Sequence, residues 1–233
     1  RGFGRSSQPS LGYDYDTLAD DLAALIDHLD LHEVTLVAHS MAGGEAARYI
    51  SRHGDERVAR ILLLATTLPF PKQTETNLQG IDPSMFEAVR TRWRQDYGQW
   101  LKENEGPYFG DGLPGCAVSE SAREWTKSDM LATSLLAAIE CNRAIADTDF
   151  RDELQRLAVP TLIIQGDRDA SIPIELSGQR QAELIPNSRL VVYENAPHGL
   201  YVTHRDRLNA DLLRFVGQTG AGRQAVPQAA EAV

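Results

Sequence analysis

The chain has 233 residues, 42% of them hydrophobic and 24% charged, with a formal net charge of −10. That length allows one sizeable core and is short for two full domains. The acidic balance argues against nucleic-acid binding and docking on anionic lipid, since both need clustered Lys and Arg, and no apolar run is long enough to span a bilayer.

The chain starts at Arg1-Gly2-Phe3-Gly4-Arg5-Ser6-Ser7 without an initiator Met and reads as a sequence entered part-way, so an upstream secretion signal would be invisible in it. Gly2, Gly4, Ser6, Ser7 and Pro9 predict a loop. Helical spacing starts near Asp16-Thr17 and puts Leu18, Leu22, Leu25, Ile26 and Leu29 on one face, with acids in the first turn where they suit the helix dipole. Residues 34–38 read as a short buried strand, 42–52 as a small-residue helix stopped by His53-Gly54, and 60–65 as a second strand. Strand, helix and strand at this spacing predict a parallel sheet with crossover helices. Over 68–149 no strand-like run occurs. Residues 85–104 read as a helix, 106–115 as a Gly/Pro loop, and 119–146 as one or two helices. The alternation then resumes, with a strand over 161–165, a helix over 175–185, a strand over 190–193 and a last helix over 205–216. The expected organisation is a first α/β core part over 1–67, a helical cap over 68–149, a second core part over 150–216 and a flexible tail over 217–233. Cys116 and Cys141 match no metal-ligand spacing. They fit reduced thiols and a cytoplasmic location, with one disulfide left open.

Three segments, each after a strand-type run, can carry chemistry. In Val37-Ala38-His39-Ser40-Met41-Ala42-Gly43-Gly44 a serine stands between strand and helix. A sharp turn there would expose its hydroxyl and aim the first N–H groups of the helix at a substrate carbonyl oxygen. The G-x-S-x-G pattern wants glycine where Ala38 and Ala42 stand, so these two are expected to pack against backbone with almost no spare room. The competing reading makes Ser40 an N-cap. In Gln165-Gly166-Asp167-Arg168-Asp169 two acids follow a strand, and either one could orient a histidine or serve only the turn. In Asn195-Ala196-Pro197-His198-Gly199 a loop histidine is a candidate general base, the competing reading being a surface residue. Taken together, the order Ser, Asp, His with a helical insertion after the serine is the chain order of α/β-hydrolases. Of the other histidines, His28, His32 and His53 are expected in solvent, His39 in packing, and His204 in capping or on the surface.

The segments "RGFGRSSQP", "YDYDTLADDL", "HSMAGGEAARYISRHG", "GDRDASIPIE" and "APHGL" resemble the cofactor-free haloperoxidase and aryl esterase group of α/β-hydrolases. The likeness runs from Arg1 to about Val216 and is weakest through the cap. It implies an α/β-hydrolase fold with a mostly parallel sheet. It also implies Ser40 as nucleophile, His198 as base, Asp169 as acid and the Met41 N–H as one oxyanion donor. The family's second donor comes from a loop after an early strand. Its "RGFGRSS" segment follows a fourth strand, so the first strands are expected to be absent from this chain. An N-terminal segment or another chain completing the sheet is then an expected partner, and a homo-oligomer stays open. The resemblance implies no haem, metal or other cofactor, and a small-molecule ester or acyl substrate. It further implies perhydrolysis, in which hydrogen peroxide replaces water as acyl acceptor. Haloalkane dehalogenases and epoxide hydrolases place Asp where Ser40 stands. A lactonase or carbon–carbon bond hydrolase on the same triad, and a non-catalytic binding protein or inactive fragment, remain the alternatives. Trp93, Trp100, Trp125, Phe70 and Phe109 are candidates for an apolar pocket or for core.

Overall fold

In the computed structural model, residues 1–217 are described. The tail expected over 217–233 therefore lies outside them, apart from Gly217. Four parallel strands form one sheet in sequential order: β1 (Val34–His39), β2 (Val58–Leu64), β3 (Thr161–Gly166) and β4 (Ser188–Tyr193). Both faces of β2 and β3 pack into a core, so the runs Ile61–Leu64 and Leu162–Ile164 are apolar, although Arg60, Thr161 and Gln165 also lie in these strands. Ile61, Leu63 and Ile163 face one core, whereas Leu62, Leu64, Leu162 and Ile164 face the other.

The first core is covered by α1 (Tyr15–His28) and α2 (Ala42–His53). Asp14 caps α1 through the Thr17 N–H at 2.9 Å. The buried face of α1 is Tyr15, Leu18, Ala19, Ala23 and Ile26, while Leu25 and Leu29 are exposed, contrary to the spacing argument. Alanines replace those leucines at the contact because α1 meets another small-residue face, Ala46 and Ala47 of α2. Arg48 of α2 pairs with Asp16 and Glu153, and Arg52 with Asp20, which pins the two helices together. The second core is covered by α8 (Leu200–Thr203) and α9 (Arg205–Val216), through Leu200, Leu208 and Phe215.

Between β2 and β3 run α3 (Pro83–Phe109), α4 (Glu120–Leu131), α5 (Leu135–Asp147) and α6 (Arg151–Gln155). At Asp96 the backbone of α3 leaves helical geometry, and the Asp96 carboxylate accepts the Gln99 N–H at 2.8 Å, capping the second half. That half continues through Gly106 and Pro107, where a loop was expected, and ends at Gly110 in the left-handed conformation. Residues 119–146 contain two helices. The second, α5, shares the first core through Ala137 and Cys141, so the inserted helices are joined to the sheet and do not pack only among themselves. Residues 175–185 do not form one helix. A 3-10 turn (Ile174–Leu176) is separated from α7 (Gly178–Leu184) by Ser177, whose hydroxyl is drawn inward. Cys116 and Cys141 are both buried and free. No helix among the described residues is long and apolar enough to cross a membrane.

Two stability predictions follow. Leu162 is 0% exposed and Val37, on the marginal strand β1, is 53% exposed. Leu162→Ala is expected to cost about 2–5 kcal/mol in urea unfolding, and Val37→Ala less than about 1 kcal/mol. Glu45, mostly buried in the first turn of α2, has its carboxyl pushed up to about 6 by desolvation, above its ordinary 4.5. The folded state thus favours its proton, and the stability this gives below pH 4.5 is lost as pH rises through about 6. Glu45→Gln is expected to raise the unfolding midpoint at pH 7 and leave it nearly unchanged at pH 4.

Candidate active site

At the end of β1 the chain turns so sharply that Ser40 takes φ +55°, a conformation that costs a non-glycine residue free energy. Backbone bonds hold it there. The Ser40 N–H donates to Leu64 O at 3.1 Å, and Ser40 O accepts from Thr67 N at 3.2 Å. The helix that follows fits with no room for side chains at its entrance. A Cβ on Gly43 would lie 2.6 Å from Thr66 Cβ, and one on Gly44 would lie 2.4 Å from the Tyr15 ring. Tyr15 is buried behind the turn and donates its hydroxyl to Met41 O at 3.2 Å. Ala38 is buried as expected, but Ala42 is only partly buried. Gly43 and Gly44 are two further positions of this turn with no room for a side chain. Ser40 is not the cap of α2: that position is Met41, without a side-chain cap bond. The Ser40 hydroxyl instead lies 3.1 Å from His198 Nε2.

The acid comes from the end of β3. Gly166 is needed there, because a Cβ would lie 1.9 Å from Ala196 O, on the loop that carries the histidine. Asp167 is exposed and Asp169 is buried. Asp169 Oδ1 accepts the N–H groups of Ser171 and Ile172, each at 2.9 Å, and Oδ2 lies 2.8 Å from His198 Nδ1. Turn chemistry and histidine orientation are therefore shared between the two oxygens of one carboxylate. An ionised carboxylate only accepts, so Nδ1 carries the proton. In the neutral ring Nε2 is then a bare acceptor facing the Ser40 hydroxyl.

Three aromatic side chains, none of them assigned to the site from sequence, surround His198. The His39 ring lies 4.8 Å away and the Tyr108 ring 5.6 Å, while Tyr201 contacts His39 and its hydroxyl lies 3.1 Å from that of Tyr108. Tyr108, near the end of α3, also accepts the Gly199 N–H on its carbonyl at 2.8 Å. His39 was expected in packing and does pack, but its Nε2 also donates to His198 O at 3.2 Å. Burial, then the neighbouring His198, push the His39 imidazole down to about 4, so the ring is neutral near pH 7. His28, His32 and His53 are exposed, the last two beside Asp30 and Asp20. His204 occupies the N-cap position of α9 without a side-chain cap bond, is partly buried, and lies 2.8 Å from Thr203 Oγ1.

A cavity of about 520 Å³ lies beside the acid loop, lined by Gly106, Gly110, Asp111, Leu113, Arg168 and Asp169 among others. The aromatic residues proposed for a pocket do not line it. Trp93 and Trp100 pack on each other, Phe70 and Phe109 are buried, and Trp125 is exposed. Among the described residues no cluster of His, Cys, Asp or Glu is arranged to hold a metal ion.

The family model for the alpha/beta hydrolase fold matches residues 1–205. The chain belongs to the α/β-hydrolase fold family. It is 41% identical over 221 residues to a non-heme haloperoxidase of Rhodococcus erythropolis, covering 93% of this chain and 79% of that protein. It is 34% identical over 218 residues to a bifunctional esterase/perhydrolase of Acinetobacter calcoaceticus, again covering 93% and 79%. Among solved structures, the bromoperoxidase of Bacillus anthracis superposes with a TM-score of 0.88 at 39% identity, covering 93% of this chain and 79% of the other. This α/β-hydrolase thus shares sequence and fold with haloperoxidases and with an esterase over nearly all its length.

The histidine pair of this hydrolase predicts a pH dependence. His39 binds a proton more readily unfolded, near 6.5, than folded, near 4, so its contribution to stability is present above pH 6.5 and is lost as pH falls towards 4. Urea unfolding at pH 7, 5.5 and 4.5 is expected to show a shallower acid loss in His39→Phe than in the wild type. At pH 7 that variant is expected to be less stable by about 1 kcal/mol, through the lost bond to His198 O.

Proposed function

We propose that this chain is a serine-triad hydrolase of small carboxylic esters that works through an acyl-enzyme, with perhydrolysis as an accompanying activity. The observation that carries the reading is the continuous path from Ser40 Oγ to His198 Nε2 at 3.1 Å and from His198 Nδ1 to Asp169 Oδ2 at 2.8 Å. Ser40 attacks the ester carbonyl while His198 takes its proton, and Asp169 holds the ring and stabilises its charged form. The negative charge on the carbonyl oxygen is met by the Met41 N–H at the entrance of α2. His198 then protonates the departing alcohol. In the second half water attacks the acyl-serine, its proton passing to His198, and the carboxylic acid and the Ser40 hydroxyl are released. With hydrogen peroxide as acceptor the same step gives a peracid, which oxidises halide in solution. The names of two relatives, a haloperoxidase and a bifunctional esterase/perhydrolase, support this pairing. We assign residues 68–149 the role of a cap, because Tyr108 and Gly110 lie against the histidine loop.

Hydrolysis of p-nitrophenyl acetate and labelling by a fluorophosphonate test this reading. Ser40→Ala is expected to abolish labelling and lower kcat/KM by at least about 1,000-fold. Asp169→Asn is expected to cost about 1,000- to 10,000-fold, and Asp167→Asn less than about threefold. Labelling that survives Ser40→Ala, or a larger loss in Asp167→Asn than in Asp169→Asn, would overturn it. Peroxide-dependent bromide oxidation in the presence of acetate should disappear together with esterase activity in Ser40→Ala.

A further inference from the structure

The acid loop is gripped by a side chain that the triad scheme does not use. Gln165 is 1% exposed, and every polar position of its amide is engaged. Oε1 accepts the Gly178 N–H at 3.0 Å and faces Ser177 Oγ at 2.9 Å. Nε2 donates to Ile172 O at 2.9 Å and points at Asp169 Oδ2 from 3.5 Å. The direct contact with Asp169 is long and therefore weak. Most of the hold passes through Ile172, whose own N–H binds Asp169 Oδ1 at 2.9 Å.

The other end of this network reaches the serine. Ser177 Oγ is 2.5 Å from Thr66 O, so its single proton lies between two carbonyl oxygens, and it accepts from Gln181 Nε2 at 2.9 Å. Gln181 also donates to Leu68 O at 3.0 Å and accepts from Thr66 Oγ1 at 3.1 Å. Thr66 is the residue packed against Gly43, and the neighbouring Thr67 N–H binds Ser40 O. Thr66, Gln165, Ser177 and Gln181 are each at most 1% exposed. These side chains also satisfy buried backbone groups, namely Thr66 O, Leu68 O, Ile172 O and the Gly178 N–H, so an apolar replacement leaves such a group unpaired and costs stability. What the polar set adds is a fixed geometry between two loops.

We propose that Gln165 is a positioning residue for the acid: it sets the Asp169 carboxylate against His198 and ties the acid loop to the segment that supports Ser40. The inference rests on the triad reading above.

The test replaces Gln165 by Met, which keeps its length but neither donates nor accepts in place of the amide. On p-nitrophenyl acetate kcat is expected to fall about 10- to 100-fold with KM within about twofold, as for other losses of a supporting hydrogen bond. The low-field proton resonance of His198 Nδ1–H, identified by its loss in Asp169→Asn, is expected to move or broaden. Gln181→Met, in the same network but without a bond to the acid loop, should lower the unfolding midpoint and leave both readouts in place. Gln165→Asn, one methylene short of Ile172 O, carries the same expectation as Gln165→Met and is read if the latter does not fold. An unchanged resonance with unchanged kcat in the Gln165 variants would overturn the inference. So would equal changes in Gln181→Met, since the network would then be merely structural. A wild-type protein that neither turns over nor is labelled at Ser40 would refute the triad reading, and this inference with it.

Discussion

The left-handed backbone at Ser40 is the constraint on which the rest depends. A serine held at φ +55° costs of order 1–2 kcal/mol relative to ordinary backbone, and it persists only because its surroundings leave no alternative. Leu64 O and Thr67 N fix the peptide groups on either side, while Thr66 and the Tyr15 ring occupy the space that side chains at Gly43 and Gly44 would need. That packing lifts the hydroxyl off the helix it would otherwise cap and presents it to His198.

The same economy of space recurs at the other two loops. Gly166 lets the end of β3 pass against Ala196, and this contact brings the acid and histidine loops within bonding distance. Because the strands are parallel and in sequential order, the segments after β1, β3 and β4 all emerge at one edge of the sheet. At such an edge residues far apart in sequence can share one site. Helix α3 then covers His198 from the side of Tyr108, and α5 returns to the core beneath.

Much of this was legible in the chain. Continuous apolar runs marked β2 and β3, because strands buried on both faces admit few polar residues, whereas β1, expected to be buried, leaves Val37 exposed. Ser40, Asp169 and His198 stood out because each follows such a run in a characteristic order, and a resemblance to known hydrolases chose between Asp167 and Asp169. Where the reading missed, long-range contacts decided. Leu25 and Leu29 are exposed because α1 packs through alanines, and the expected single helix over 175–185 is broken at Ser177, whose hydroxyl bonds Thr66 O. The continuation of α3 through Gly106 and Pro107 overrode the local preference for a loop.

By itself, then, the sequence determined the alternation of strands and helices and the residue types able to attack, relay a proton and orient a ring. These follow from periodicity and side-chain chemistry, which are local. The tertiary structure alone decided that the two oxygens of Asp169 are divided between the turn and His198, that His39 and Tyr108 pack against His198, and that Gln165 bonds the acid loop. Those outcomes depend on distances between segments separated by up to 159 residues, as between His39 and His198. Such distances are set by how sheet and helices fill space together, which no stretch of sequence records on its own.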